Sequence, residues 1–518
     1  MYFSAQAANR SQWRGIPDTN RAEIARSVAA SLPSSTLLAM FLCILTSTGV
    51  ALSSERFQHW FLIPITLCGI IASTDAIEWL RGKLDLYDPV GLVGAFAVHF
   101  FFLAPLLTIY WDEFLPVAPP PDWRDWLGAM GILNLVGLVA YRICRDVFNR
   151  RTVRPAKTYW RLDLTKLRFV APVALLVTGA AQAAVYAKFG GITGYMVTRA
   201  SYVGGKLAFT GLGWVFMISE SFPIIVTLVG IAYARKRHVS WTRIAVGLFL
   251  MFVLLMLFGG LRGSRSNTVD ALFWIVGAIH FLIRPVPRKV IGVGVLFLLL
   301  FLYAYGFYKS GGLKAFEGAE ARAEIAQKHG RTFHTVVLGD LGRADLQAYI
   351  LYRLVNDSAH FKYALGRSYV TALTIFIPHW ILPERPETID QEGTEIQAGS
   401  GSYVPDVFKS SKVYGLAGEA MMNFGIVSVP IAYAVFGLLV GWFRRAVRRL
   451  APGDIRLFFV PLCVYLCTAT LGSDSPILAY GIAKFLTIPV VVVYLSSIRL
   501  RRSASSTVPV AQSVAQLA

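Results

Sequence analysis

The stretch IAVGLFLMFVLLMLFGGLRGSRSNTVD, residues 244–270, decides how the chain must be read. Residues 244–261 carry no charge, and two arginines, Arg262 and Arg265, follow at once. A helix rises 1.5 Å per residue, so about 20 apolar residues cross a hydrocarbon core of about 30 Å. Lipid offers no hydrogen-bond partner, so such a run must close its own backbone bonds as a helix. Working outward, runs of the same kind lie near 34–54, 58–79, 89–111, 124–143, 167–187, 212–233, 268–283, 290–308, 416–442, 457–472 and 476–497. The expected fold is therefore an all-α polytopic membrane protein with about twelve transmembrane helices. Composition agrees: of 518 residues 55% are apolar and only 15% charged, whereas a soluble domain carries roughly 25% charged residues.

The net charge of +20 invites a nucleic-acid reading, but the placement of the charges removes it. Lys and Arg gather in 1–33, 80–88, 142–168, 234–243, 284–289, 443–456 and the tail, alternate connections of a twelve-span chain. These segments hold 30 of the 50 basic residues and 7 of the 30 acidic ones. Positive charge collects on the cytoplasmic side, so both termini are expected there, with no nucleic acid as partner. The segments are then 1–33, a cytoplasmic N-terminal stretch without a cleavable signal; 34–308, helices one to nine; 309–415, one large periplasmic loop; 416–499, helices ten to twelve; and 500–518, a flexible cytoplasmic tail.

The five cysteines fall in or beside spans and none in the large loop, so no disulfide framework is expected. No glycine-rich phosphate loop, zinc-finger spacing or HExxH occurs, and the loop histidines lack metal-ligand spacing. No cofactor and no metal are expected.

The loop 309–415 is too long and too apolar for a linker. Leu346, Tyr349, Ile350, Tyr352, Arg353 and Leu354 recur with helical periodicity and form an amphipathic surface. Residues 366–386 are apolar and interrupted by Pro378, Pro383 and Pro386, which suits a re-entrant or interface-lying piece. Residues 387–415 are polar and rich in Gly and Ser, as in a mobile lid. The turn 111–123, WDEFLPVAPPPDW, is short, acidic and Pro-rich.

Arg262 and Arg265 stand at the outer end of a span, where the positive-inside rule disfavours them. A guanidinium forks onto two phosphate oxygens, and Ser264, Ser266, Asn267 and Thr268 open the next helix, whose N-terminus also favours an anion. Snorkelling to lipid head groups is the bland alternative. Asp75, Glu220, Asp270, Glu419 and Lys484 are ionisable residues in or beside apolar runs, where charge is costly and points to function. Asp270 is placed to orient Arg265. Glu419, where the loop re-enters the membrane, is a candidate general base with a structural ion pair as the alternative. Lys484 pairs with an acid or snorkels outward.

Four stretches carry a resemblance: GGITGYMVTR (190–199), GGLRGSRSNTV (259–269), LGRADLQAYI (341–350) with LGRSYVTALTIFIPHWILPERP (365–386), and SSKVYGLAGEAMMNFGIVSVP (410–430). In these the chain resembles the bacterial O-antigen (Wzy-type) polymerases of oligosaccharide repeat units. The resemblance implies a GT-C-like membrane glycosyltransferase whose substrates are repeat units on undecaprenyl diphosphate. It implies Glu419, Arg262 and Arg265 as catalytic. It also implies Arg199, Arg343, Asp345, Arg367, His379, Arg385 and Lys412 as substrate-binding, and a flippase and a chain-length regulator as companions. An O-antigen ligase, a flippase for the same lipid-linked sugar and a non-catalytic export scaffold remain open alternatives.

Overall fold

The computed structural model describes residues 33–501 apart from 115–118, 150–152, 199–201, 204–205, 208, 210, 236–238, 263–264, 312–315, 330–332, 359–360, 378–380, 384–385, 387–388, 400 and 405–412. Nine described helices are long and apolar enough to cross a membrane. They are α1 (Ser34–Ser53), α2 (Leu62–Leu80), α3 (Pro89–Tyr110), α4 (Trp123–Asn149), α5 (Leu164–Lys188), the pair α6 (Gly213–Ser219) and α7 (Phe222–Ala234), α8 (Trp241–Phe258, extended by the turn Gly260–Arg262), α15 (Ser428–Arg448) and α17 (Ser475–Leu495). Shorter apolar stretches lie in α9 (Arg265–Leu282), α10 (Lys289–Gly311) and at Ile455–Ala469, which ends in α16 (Val460–Ala469). The architecture is that of an all-α multi-pass membrane protein.

Between α10 and α15 stand α11 (Ala344–Asn356), α12 (Arg367–Thr374), α13 (Asp390–Ala398) and α14 (Gly415–Phe424). They mark the loop end of the bundle. The helix expected at 416–442 is broken: α14 stops at Gly425, whose φ of 79° suits glycine, and α15 starts at Ser428 and runs on to Arg448. Glu419 is therefore outside the spanning helix.

The helical periodicity expected at 346–354 is present in α11, whose Leu346, Tyr349, Ile350 and Leu354 are buried, and the burial extends beyond that stripe. Every residue from Ala344 to Leu351 is buried, because α11 is enclosed from several sides. Ile350 sits beside Gly418 of α14, and Tyr352 meets Trp126 of α4 edge-on at 5.4 Å. One apolar cluster joins α1–α4 with α11, α14 and α15. A second joins α5, α7–α9, α16 and α17.

Helices α4 and α15 run parallel in close contact. Tyr433 donates to Asn134 at 2.9 Å, and Tyr141 stacks on Phe436 at 5.2 Å. Gly437 and Gly441 face the carbonyls of Tyr141 and Arg145 so closely that a Cβ would overlap them, the small-xxx-small solution to helix packing in lipid. Arg145 of α4 reaches Asp75 of α2 at 2.5 Å, and Arg444 of α15 reaches Asp88 at 2.8 Å. Both pairs are buried, so losing one partner leaves an uncompensated charge.

At the opposite end, β1 (Thr158–Leu162) pairs antiparallel with β2 (Ser497–Arg501). Residues 500 and 501, expected in the flexible tail, belong to this ladder. Asp454 accepts the backbone N–H of Trp160, and Arg456 donates to the Thr158 carbonyl at 2.7 Å.

Candidate functional site

Two polar nodes lie along α17. The first is at its start, at the loop end. Asp474 accepts the backbone N–H groups of Tyr414 and Gly415 at 2.9 Å each, capping the start of α14. Glu419, inside α14, accepts the Ser475 N–H at 2.8 Å and the Ser475 hydroxyl at 2.5 Å, capping the start of α17. Each helix thus supplies the carboxylate that satisfies orphan donors of the other. Gly415 starts α14 with φ 69°, and its backbone lies against Leu471, where a side chain would collide.

Asn423 fastens the loop to this node. Its Oδ1 accepts the Gly366 N–H, and its Nδ2 donates to the Ser368 hydroxyl and the Glu419 carbonyl, all at 2.8 Å. Ser368 also hydrogen-bonds the Glu419 carboxylate. Tyr369 stacks over Phe424 at 6.3 Å. Glu419 and Asp474 lie just outside the spanning helices. Burial is the main force raising both carboxyls above the ordinary range, and for Asp474 the charge of Glu419 adds to it. The donors on Ser475 and Ser368 pull Glu419 partly back.

The second node is deeper. Glu220 sits where the span breaks between α6 and α7, just before Pro223. Its carboxylate takes Arg262 at 2.6 Å and Lys484 of α17 at 2.5 Å. Asn267 donates to Glu220 at 3.2 Å and accepts from Lys484. Arg262 lies over the Phe216 ring at 4.0 Å, and its buried Nε has no acceptor among the described residues. Tyr308 of α10 fixes the turn by donating to the Leu261 carbonyl at 2.8 Å. Asp270 is buried against Tyr465, within electrostatic reach of Lys484. Two cations thus share one carboxylate. Ser475 and Lys484 are nine residues apart, about 13–14 Å along the axis.

Of the residues expected from the sequence, Arg343, Arg367 and Glu419 reach the loop-end node or its edge. Arg343 donates to the Gly339 and Gly342 carbonyls and acts electrostatically on Asp474. Arg367 pairs with the buried Glu392 of α13. Asp345 is buried in the first turn of α11, where a carboxylate suits the helix dipole. Arg262 belongs to the other node, so it and Glu419 do not meet. Arg265 opens α9, but its side chain lies outside the described residues, as do Arg199, His379, Arg385 and Lys412 altogether. Asp270 turns toward Tyr465 and Lys484. Glu419 has neutral donors where a structural ion pair was the expected alternative, and Lys484 takes an acid.

Asp474, Ser475, Ser368 and Asn423 escaped sequence reading. The SDSP turn at 473–476 carried a faint signal, an Asp directly before a Ser-Pro helix start. Among the described residues no cluster of three or more His, Cys, Asp or Glu could hold a metal. Comparison with protein families, with curated proteins and with solved structures gives no match to this chain.

Proposed function

We propose that this chain is a polysaccharide polymerase of the Wzy type, a twelve-span, GT-C-like glycosyltransferase of the bacterial inner membrane. Residues 309–415 face the periplasm and both termini the cytoplasm. The substrates are oligosaccharide units on undecaprenyl diphosphate. The observation that carries the reading is the pairing of two nodes on α17: a buried carboxylate under the loop helices, and a second carboxylate, Glu220, held by two cations.

The acceptor hydroxyl of the incoming unit attacks the anomeric carbon of the growing chain. The new C–O bond forms as the bond to diphosphate breaks. Glu419 takes the hydroxyl proton, a task helped by a carboxyl raised toward neutrality. The electron pair leaves on the diphosphate oxygen, and Arg262, with Arg265 at the start of α9, meets that charge. The Nε–H of Arg262 has no acceptor among the described residues and supplies one donor. Arg343 and Arg367 bind the glycan or its acidic groups, as do Arg199, Asp345, His379, Arg385 and Lys412 by the resemblance.

The test is to reconstitute the purified protein with an undecaprenyl-diphosphate repeat unit and look for a ladder of products. The wild-type protein is expected to give one. Arg262→Ala is expected to abolish it at normal protein level, and a full ladder from that variant removes the diphosphate clamp. A second reading is a flippase for the same lipid. It is favoured by the charged node at a broken helix, a pattern of transporters. Movement of labelled substrate across the vesicle without a ladder decides for it.

A further inference from the structure

A cleft of about 350 Å³ opens at the loop end, away from both nodes. That volume lies at the lower end of small-molecule sites, roughly 300–1,000 Å³. One wall is the run Pro119–Pro121, stiff and without backbone donors. The other is the last two turns of α11. Tyr349 and Tyr352, three residues apart, share that wall. Trp126 packs edge-on to Tyr352 at 5.4 Å and fixes its ring. The Tyr349 hydroxyl is engaged below by the Ile396 carbonyl. The polar groups are planar ones: Arg353 donates one N–H to Asp357 at 2.7 Å, and Asn356 donates to the Tyr352 carbonyl at 3.2 Å. The buried Nε of Arg353 has no acceptor among the described residues.

A flat aromatic ring, a carboxylate, a guanidinium and an amide around one shallow cleft match a sugar. A pyranose offers an apolar C–H face for the ring and vicinal hydroxyls for the planar groups. The wall of three prolines has no N–H to pair with an extended peptide. The cleft carries both signs of charge and is no anion trap.

We propose that this cleft is a glycan-binding subsite, holding sugars of the polymer remote from the bond being made. The assignment of those sugars to the polymerase substrate rests on the proposed function; the chemistry of the cleft does not. Such a subsite lets the enzyme keep a long chain between transfers.

The experiment uses the full-length protein in nanodiscs and, as probe, the hexasaccharide fraction of the surface polysaccharide of the source cells. Binding is read by saturation-transfer NMR and by fluorescence of the tryptophans, Trp126 among them. The wild-type protein is expected to bind. Tyr352→Ala and the exposed Asn356→Ala are each expected to weaken binding about tenfold, while Tyr352→Phe, which keeps the ring, binds normally. No binding by the wild type, or unchanged binding by both alanine variants, overturns the proposal. In the ladder assay, the variants should join two units at the wild-type rate but give shorter products. A wild-type protein that binds the hexasaccharide at this cleft yet makes no ladder upholds the subsite and removes the polymerase.

Discussion

Glu419 and Glu220 are both buried carboxylates on partners of α17, and they are held in opposite ways. Glu419 is held by neutral donors, an amide and hydroxyls at a helix end. Glu220 is held by two cations, with an amide beside them. The first arrangement leaves a group that can gain and lose a proton, with Asp474 as the neighbour that feels the change. The second makes the carboxylate a fixed counter-charge, and leaves the cations as the groups with something to offer a ligand. In the proposed reaction the difference divides the labour: proton transfer at the loop end, charge stabilisation deeper in.

Removing the counter-charge should have the largest effect. Glu220→Ala strands Arg262 and Lys484 together, and breaking a buried pair costs about 3–5 kcal/mol. Thermal unfolding in detergent should show a collapse, partly restored in the double variant Glu220→Gln/Lys484→Met, which strands one cation, Arg262, instead of two. A Glu220→Ala protein as stable as wild type would mean the node is hydrated and not a true buried pair.

Next comes Glu419→Gln. The amide keeps the shape and one acceptor for Ser475 but loses the base, so turnover should fall by about 10²–10⁴ while binding of the lipid-linked donor is retained. Full turnover in the reconstituted assay excludes Glu419 as the base and leaves it a helix cap alone.

The smallest effect is in pH. Glu419 and Asp474 have raised carboxyls in the folded protein. Their contribution to stability is complete below the ordinary carboxylate range near pH 4 and is lost as pH rises through the raised values. The melting temperature should therefore decline as pH is raised above the ordinary carboxylate range, and the double variant Glu419→Gln/Asp474→Asn should flatten that decline. A melting temperature that climbs over this window, or the same slope in the double variant, contradicts the burial of the pair.

The membrane-crossing helices were legible because lipid imposes one requirement everywhere: a long apolar run with self-satisfied backbone. The re-entry at 415–427 was misread for the same reason. Ala, Met and Phe continue the apolar run across Gly425, and hydropathy does not register a left-handed glycine. The charges at 220, 262, 419 and 484 announced themselves by their setting, but their partners did not. Glu419 finds Ser475 56 residues away and Arg262 finds Glu220 42 residues away, and no periodicity encodes such distances. The burial of α11 was equally hidden. Its sequence offers one apolar stripe, and only the packing of α4 and α14 around it explains why Asp345 and Gln347 are enclosed as well.

The ladder between β1 and β2 bears on how the molecule is made. It ties residues 497–501 to a segment synthesised more than 330 residues earlier, with the Asp163 N–H on the Ser496 carbonyl closing the clasp. A ribosome must therefore deliver residue 501 before α17 is latched. Because α17 brings Ser475 to one node and Lys484 to the other, neither node can close before α17 has been made, and the clasp that fastens the end of α17 forms later still.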